Sequence, residues 1–152
     1  MEELFIKNTI QINATPAVIW DFLTNPLKTK IYMFGCEAIS NWNSGDELNW
    51  RGNYEGKEIV FVTGKIVTCQ KPLKLVYTTF DPNSLIEDNP SNHLTVTYEL
   101  IEEGNLTILN VTQGDYNKVE DGIRRYNESY NNGEGWNPIL LKIKNLAEES
   151  TM

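Results

Sequence analysis

His93 is the only histidine in the chain, and with an ordinary pKa of about 6.5 it is the one side chain poised to trade protons near neutrality. It stands in Asn89-Pro90-Ser91-Asn92-His93, where a polar loop gives way to a strand. It could serve as a general base, but an exposed loop histidine is the plainer expectation. A single imidazole cannot supply a two-histidine zinc site or a facial triad. No motif around it supports a Ser-His-Asp or Cys-His relay. Cys36 and Cys69 are isolated, without Cys-x-x-Cys spacing, and we expect buried free thiols. Glu99 alternates with Tyr98 and Leu100; turned inward it would be an acid or base with a raised pKa, but a solvated strand carboxylate is the ordinary outcome. Asp115 and the Arg124-Arg125 pair read as surface charge, although an arginine at a cavity mouth would meet a ligand carboxylate. The chain has no Gly-x-Ser-x-Gly elbow, no Gly-x-Gly-x-x-Gly turn and no phosphate-cradling loop. We therefore expect no catalytic residue, no metal and no cofactor, and no binding of ATP by the chain alone.

Charge and length bound what remains. Thirteen Lys and Arg against 21 Asp and Glu leave a net charge of −8 in 152 residues, a surface that repels phosphate backbones and anionic membranes. Nucleic acid is excluded as an expected partner. A hydrophobic fraction of 40 % is that of an ordinary folded protein, and the length fits one domain over residues 1–152. The start, Met-Glu-Glu-Leu-Phe-Ile-Lys, is acidic and then alternates, unlike a signal peptide. The longest aliphatic and aromatic run, residues 59–62, is too short to insert in a membrane, so a cytoplasmic protein is expected.

Three kinds of element would have to position any site. Leu4, Ile6, Ile10 and Ile12 alternate with polar residues, a half-buried strand with Asn8 as its one polar exception. Thr15-Pro16 caps and opens a helix over 17–23, with Val18, Ile19 and Phe22 on one face; Asn25-Pro26 opens a second, ending near Tyr32. From 34 to 111 the pattern is nearly all strand. Segments 46–52, 58–69, 73–80, 94–100 and 106–113 are divided by Asn53-Tyr54-Glu55-Gly56, by Lys71-Pro72, by a loop over 81–92 and by Glu103-Gly104-Asn105. Short connections favour an antiparallel meander. The period then changes. Val119, Ile123, Tyr126 and Tyr130 predict one face of a short helix, and Trp136, Ile139, Leu140, Ile143, Leu146 and Ala147 predict a long amphipathic one over 136–148. Burying those last six fully would contribute roughly 10 kcal/mol, so this helix must pack on the sheet.

The order of these elements resembles the helix-grip fold of the SRPBCC (START-like) superfamily, and within it the homologues of the activator of the heat-shock-protein-90 ATPase. The residues that carry the likeness are Ile12-x-Ala14-x-Pro16-x-x-Ile19-Trp20-x-x-Leu23-Thr24-Asn25-Pro26, Gly45, Leu48, Gly56 and Gly64-x-Ile66-Val67. They continue through Pro72-Leu73-x-Leu75-x-Tyr77-Thr78 to Gly135-Trp136-x-x-x-Leu140-x-x-Ile143-Lys144-x-x-Ala147-Glu148. Tyr32 or Phe34 stands where the family often has a tryptophan, with Trp42 further on, and 115–132 is rich in Asn and Tyr.

The resemblance implies an α+β fold in which a curved antiparallel sheet of six to seven strands wraps a long C-terminal helix, with two short helices after the first strand. It also implies a cavity between sheet and helix that takes lipids, polyketides or other apolar molecules. Trp20, Tyr32, Trp42, Trp50, Phe61, Tyr77, Phe80, Tyr98 and Trp136 supply large side chains for its walls or for plain core. Trp50, Tyr77 and Tyr98 lie on separate alternating strands, and Trp136 and Leu140 one turn apart on one helical face; these five are expected to border one apolar pocket. Three functions compete: non-enzymatic binding of a small apolar or amphipathic molecule, which we favour; a cyclase or hydratase using the same cavity; and a co-chaperone-like interaction domain in a stress response, with a chaperone or a second copy of the chain as partner.

Overall fold

The computed structural model describes residues 2–151. Strand β1 (Ile6–Ile12) leads into two short helices, α1 (Pro16–Thr24) and α2 (Pro26–Tyr32). The meander follows as β2 (Glu37–Ile39), β3 (Glu47–Tyr54), β4 (Lys57–Gln70), β5 (Lys74–Thr79), β6 (Leu94–Glu103) and β7 (Leu106–Gly114). Helices α3 (Gly122–Tyr130) and α4 (Asn137–Ser150) close the chain. The fold is α+β. All seven strands form one sheet in the order β1-β7-β6-β5-β4-β3-β2, every neighbouring pair antiparallel, so the first strand pairs with the last.

Local chemistry explains the boundaries. The Thr15 hydroxyl accepts from the Val18 N–H at 3.3 Å, capping α1. Asn25 serves both helices: its N–H donates to the Asp21 carbonyl at 2.9 Å, and its side-chain oxygen accepts from the Leu27 N–H at 3.0 Å. The β3–β4 turn is tighter than the sequence predicts. Asn53 and Tyr54 stay in the strand and only Glu55-Gly56 turns, with φ of +51° and +81°, the paired positive values of a twist-matched hairpin. Gly64 lies where β4 meets β5 so closely that a Cβ would stand 1.7 Å from the Thr78 carbonyl oxygen. Register shifts at Trp50/Arg51 and at Ile66/Thr68 add the local twist that curves the sheet.

The concave face carries Leu48, Trp50, Leu75, Tyr77, Val96, Tyr98, Leu100, Leu109 and Val111, all buried, with α4 laid across it. Of the six residues on the predicted stripe, Leu140, Ile143 and Ala147 are wholly buried and Trp136 is nearly so, while Ile139 and Leu146 are half-buried. Asn8 occupies an inward position on β1 because it holds the start of this helix. Its side-chain oxygen accepts from the Trp136 N–H at 2.9 Å, and its amide donates to Asn137 Oδ1 at 3.2 Å. The far end of α4 is tied by the Glu148 carboxylate, which accepts from the Asn13 N–H at 2.8 Å, and by Lys144 Nζ, which donates to the Gln11 carbonyl at 2.8 Å.

Two expectations need correction. Val119 is outside α3, which begins at Gly122 after a single 3-10 turn over Tyr116–Lys118, and Ile123 and Tyr130 are exposed. The inward face is instead Gly122, Arg125, Tyr126 and Ser129; Gly122 packs against Tyr116 so tightly that a Cβ would lie 1.7 Å from the Tyr116 carbonyl oxygen. Cys36 and Cys69 are free, as expected, but only half-buried. Among the described residues, no helix is long and apolar enough to cross a membrane.

Candidate functional site

A cavity of about 550 Å³ lies between the concave face and the helices, reached past the loop after α2 and the loop after β5. Strand parity sends Trp50, Tyr77 and Val96 into it from β3, β5 and β6, and Phe61 enters from β4. Trp136, just before α4, and Ile139 in its first turn close it, with Arg125 and Ser129 on one side of α3. Phe34, 81 % exposed, stands at its edge with the Lys142 ammonium 5.6 Å from its ring centre.

The five residues singled out in the sequence separate into two groups. Trp50, Tyr77, Tyr98 and Trp136 form one continuous run of rings, with centroids 6.1, 6.2 and 5.8 Å apart in succession. Trp50, Tyr77 and Trp136 line the cavity, whereas Tyr98 sits behind it and Leu140 faces the core. Tyr98 is covered by the Trp136 ring, which meets it edge-on at 5.8 Å, and Leu140 points from α4 into the core. Of the other aromatic candidates, Phe61 and Phe80 reach the cavity, and Trp20, Tyr32 and Trp42 do not.

The polar groups are few and mostly held. Trp136 Nε1 donates to Gln113 Oε1 at 3.1 Å, fixing both side chains on the wall. Burial pushes the Tyr77 phenol up, and those of Tyr32 and Tyr98 well above their ordinary value. Tyr32 donates to the Phe22 carbonyl at 2.8 Å, while the buried hydroxyls of Tyr98 and Tyr116 have no partner in bonding geometry among the described residues. Burial raises the Cys36 thiol as well, which keeps it protonated and a poor nucleophile.

His93 is not the exposed loop side chain expected of it. It is stacked on Phe80 at 5.0 Å and 10°, with Nε2 2.7 Å from Asp88 Oδ1 and Nδ1 3.4 Å from Thr78 Oγ1. Phe80 lines the cavity, so the imidazole braces the wall from behind. Glu99 is exposed. Asp115 is not idle surface charge: its carboxylate accepts from the N–H groups of Leu4 and Asn117, each at 2.9 Å, and these bonds hold it below its ordinary pKa. Among the described residues, no group of three or more His, Cys, Asp or Glu could hold a metal.

Arg124 and Arg125 divide the pair. Arg124 is exposed and bonded to Asp121 and Glu128. Arg125 turns to the cavity, where NH2 donates to the Asn92 carbonyl at 3.1 Å and NH1 to the Glu120 carbonyl at 3.2 Å. Asn92 is itself buried, its side chain bonded to Glu87 and Glu120. The sequence offered no apolar signal for this face, because the residues that look into the cavity are polar.

A seven-stranded antiparallel sheet that wraps a terminal helix and holds a cavity beneath it defines the helix-grip class. The chain belongs to the family described as Activator of Hsp90 ATPase homolog 1-like protein, whose model matches residues 13–148. It is 30 % identical to ChR145 of Cytophaga hutchinsonii over 99 % of both chains, with a TM-score of 0.76. It shares the fold of an HSP90 activator of Plasmodium falciparum at 19 % identity, covering 85 % of this chain and 89 % of that one with a TM-score of 0.61. The Aha1 dimer of Colwellia psychrerythraea is similar at 16 % identity, covering 95 % and 96 %, with a TM-score of 0.67. No curated protein matches the chain.

Proposed function

We propose that the protein binds a small apolar or amphipathic molecule, without chemistry, in the cavity between the sheet and α4. The observation that carries this is the cavity itself: about 550 Å³, walled by Trp50, Phe61, Tyr77, Phe80 and Trp136. Small-molecule pockets span roughly 300–1,000 Å³ and are mainly apolar with a few placed polar groups. A well-packed interior leaves few voids larger than a water molecule, so a space of this size is not ordinary packing.

Lauric acid should quench the fluorescence of Trp50 and Trp136 and raise the melting temperature. At 100 times the dissociation constant the gain is about 2.7 kcal/mol. Ile139→Trp places an indole in the cavity and should abolish both responses while the protein stays folded. Unchanged fluorescence and melting with lauric acid and with an aromatic probe such as naphthol would overturn the proposal.

A second function, docking on a chaperone, is favoured by the family and by Leu27, Ile31 and Phe34, which are exposed on and just after α2. Pull-down of the heat-shock-protein-90 chaperone by the folded protein, lost in Ile31→Asp, is its test; no retention would remove it. Turnover of a cyclase or hydratase substrate would instead point to an enzyme.

A further inference from the structure

We infer that the ligand is an amphipathic carboxylic acid, its apolar body in the aromatic cavity and its carboxylate on Arg125. This rests on the cavity being a binding site and names the chemistry of the molecule it takes.

Arg125 is the only cation among the described cavity-lining residues, in a chain of net charge −8. Its neighbour Arg124 is matched by two carboxylates, whereas among the described residues no carboxylate is paired with Arg125. Two carbonyls, those of Asn92 and Glu120, hold the guanidinium in place and use two of its five N–H groups. Carbonyls orient a cation without neutralising it. Partial burial lowers the Arg125 pKa from its ordinary value against the opposing pull of Asp121 and Asp81, although arginine stays charged.

The surroundings supply a further donor: Ser129 lies one turn along α3 and also lines the cavity. A guanidinium fork with free donors matches the two oxygens of a carboxylate. Asp81 lies at the same rim and opposes any anion, but it is exposed, and one of its oxygens already accepts from the Asn83 N–H at 2.8 Å.

The test compares lauric acid with lauryl alcohol by titration calorimetry, which separates the head from the body. Wild-type protein should bind the acid about tenfold more tightly, a preference that shrinks as salt is raised. Arg125→Gln should bring the acid down to the alcohol and leave the alcohol within about twofold. Asp81→Asn, which keeps the bond to Asn83, should tighten the acid alone. Equal binding of acid and alcohol by the wild-type protein overturns the inference and leaves the cavity standing as a binding site; so does an acid preference that survives in folded Arg125→Gln. Should Arg125→Gln fail to fold, the wild-type ratio and its salt dependence still decide. If neither compound binds, the cavity reading fails and this inference with it.

Discussion

Single side chains inside this fold do work that their types alone conceal. Asn8 is the case most open to test. The first residues of a helix have N–H groups without partners, and α4 has no capping side chain of its own. Asn8 supplies the acceptor from across the sheet, and Asn8→Ala should lower stability by about 1–3 kcal/mol in urea titration, with no change in the slope. Tyr98 is the opposite case. Its buried hydroxyl has no partner in bonding geometry among the described residues, so Tyr98→Phe should leave stability unchanged or raise it by up to about 1 kcal/mol. A loss of more than that would mean that the hydroxyl is bonded in solution. In sequence, Asn8 was visible only as the gap in an alternating strand, and its purpose was not, because its partners lie some 130 residues away in the chain. His93 was misplaced for a similar reason: loop composition marks a segment as polar but cannot show that Phe80 turns back to stack on it.

At the scale of elements, patterning was legible wherever one face meets an apolar partner. The meander, the two capped helices and α4 all follow from it, as do the sets of residues that share a face on β3, β5 and β6. It failed at α3, whose inward face looks into a cavity, so that Arg125 and Ser129 stand where an apolar stripe was sought. The site was legible in part for the same cause: parity assigns a face, but only the path of α4 decides which residues on it are covered. The tie at the end of α4 has a pH dependence. The Asn13 N–H, then Lys144, hold the Glu148 carboxyl below its ordinary value of 4.5. A carboxyl whose folded pKa is lowered stabilises fully above its unfolded value and loses that contribution as pH falls through the folded one. Wild-type protein should therefore lose stability below about pH 4.5, and Glu148→Gln should show a shallower loss over the same range in melting temperature. Asp115 has the same sign and remains in that variant, so the loss is reduced and not removed.

For the whole molecule, the pairing of β1 with β7 sets an order in time. Strands β2 to β7 can assemble by short connections, each hairpin closing a small loop, whereas Ile6 meets Gln113 across roughly a hundred residues. The helix that covers the cavity is anchored on β1, through Asn8 at one end and Gln11 and Asn13 at the other. Closing the grip is then a late event, and the meander is the expected nucleus. Core substitutions such as Val96→Ala and Leu109→Ala should mainly slow refolding, while Ile12→Ala and Ile143→Ala should mainly hasten unfolding. Equal effects on both rates from the two sets would exclude that order. During synthesis β1 stays unpaired until the seventh strand emerges about a hundred residues later, and its half-apolar edge is open to other chains for that interval.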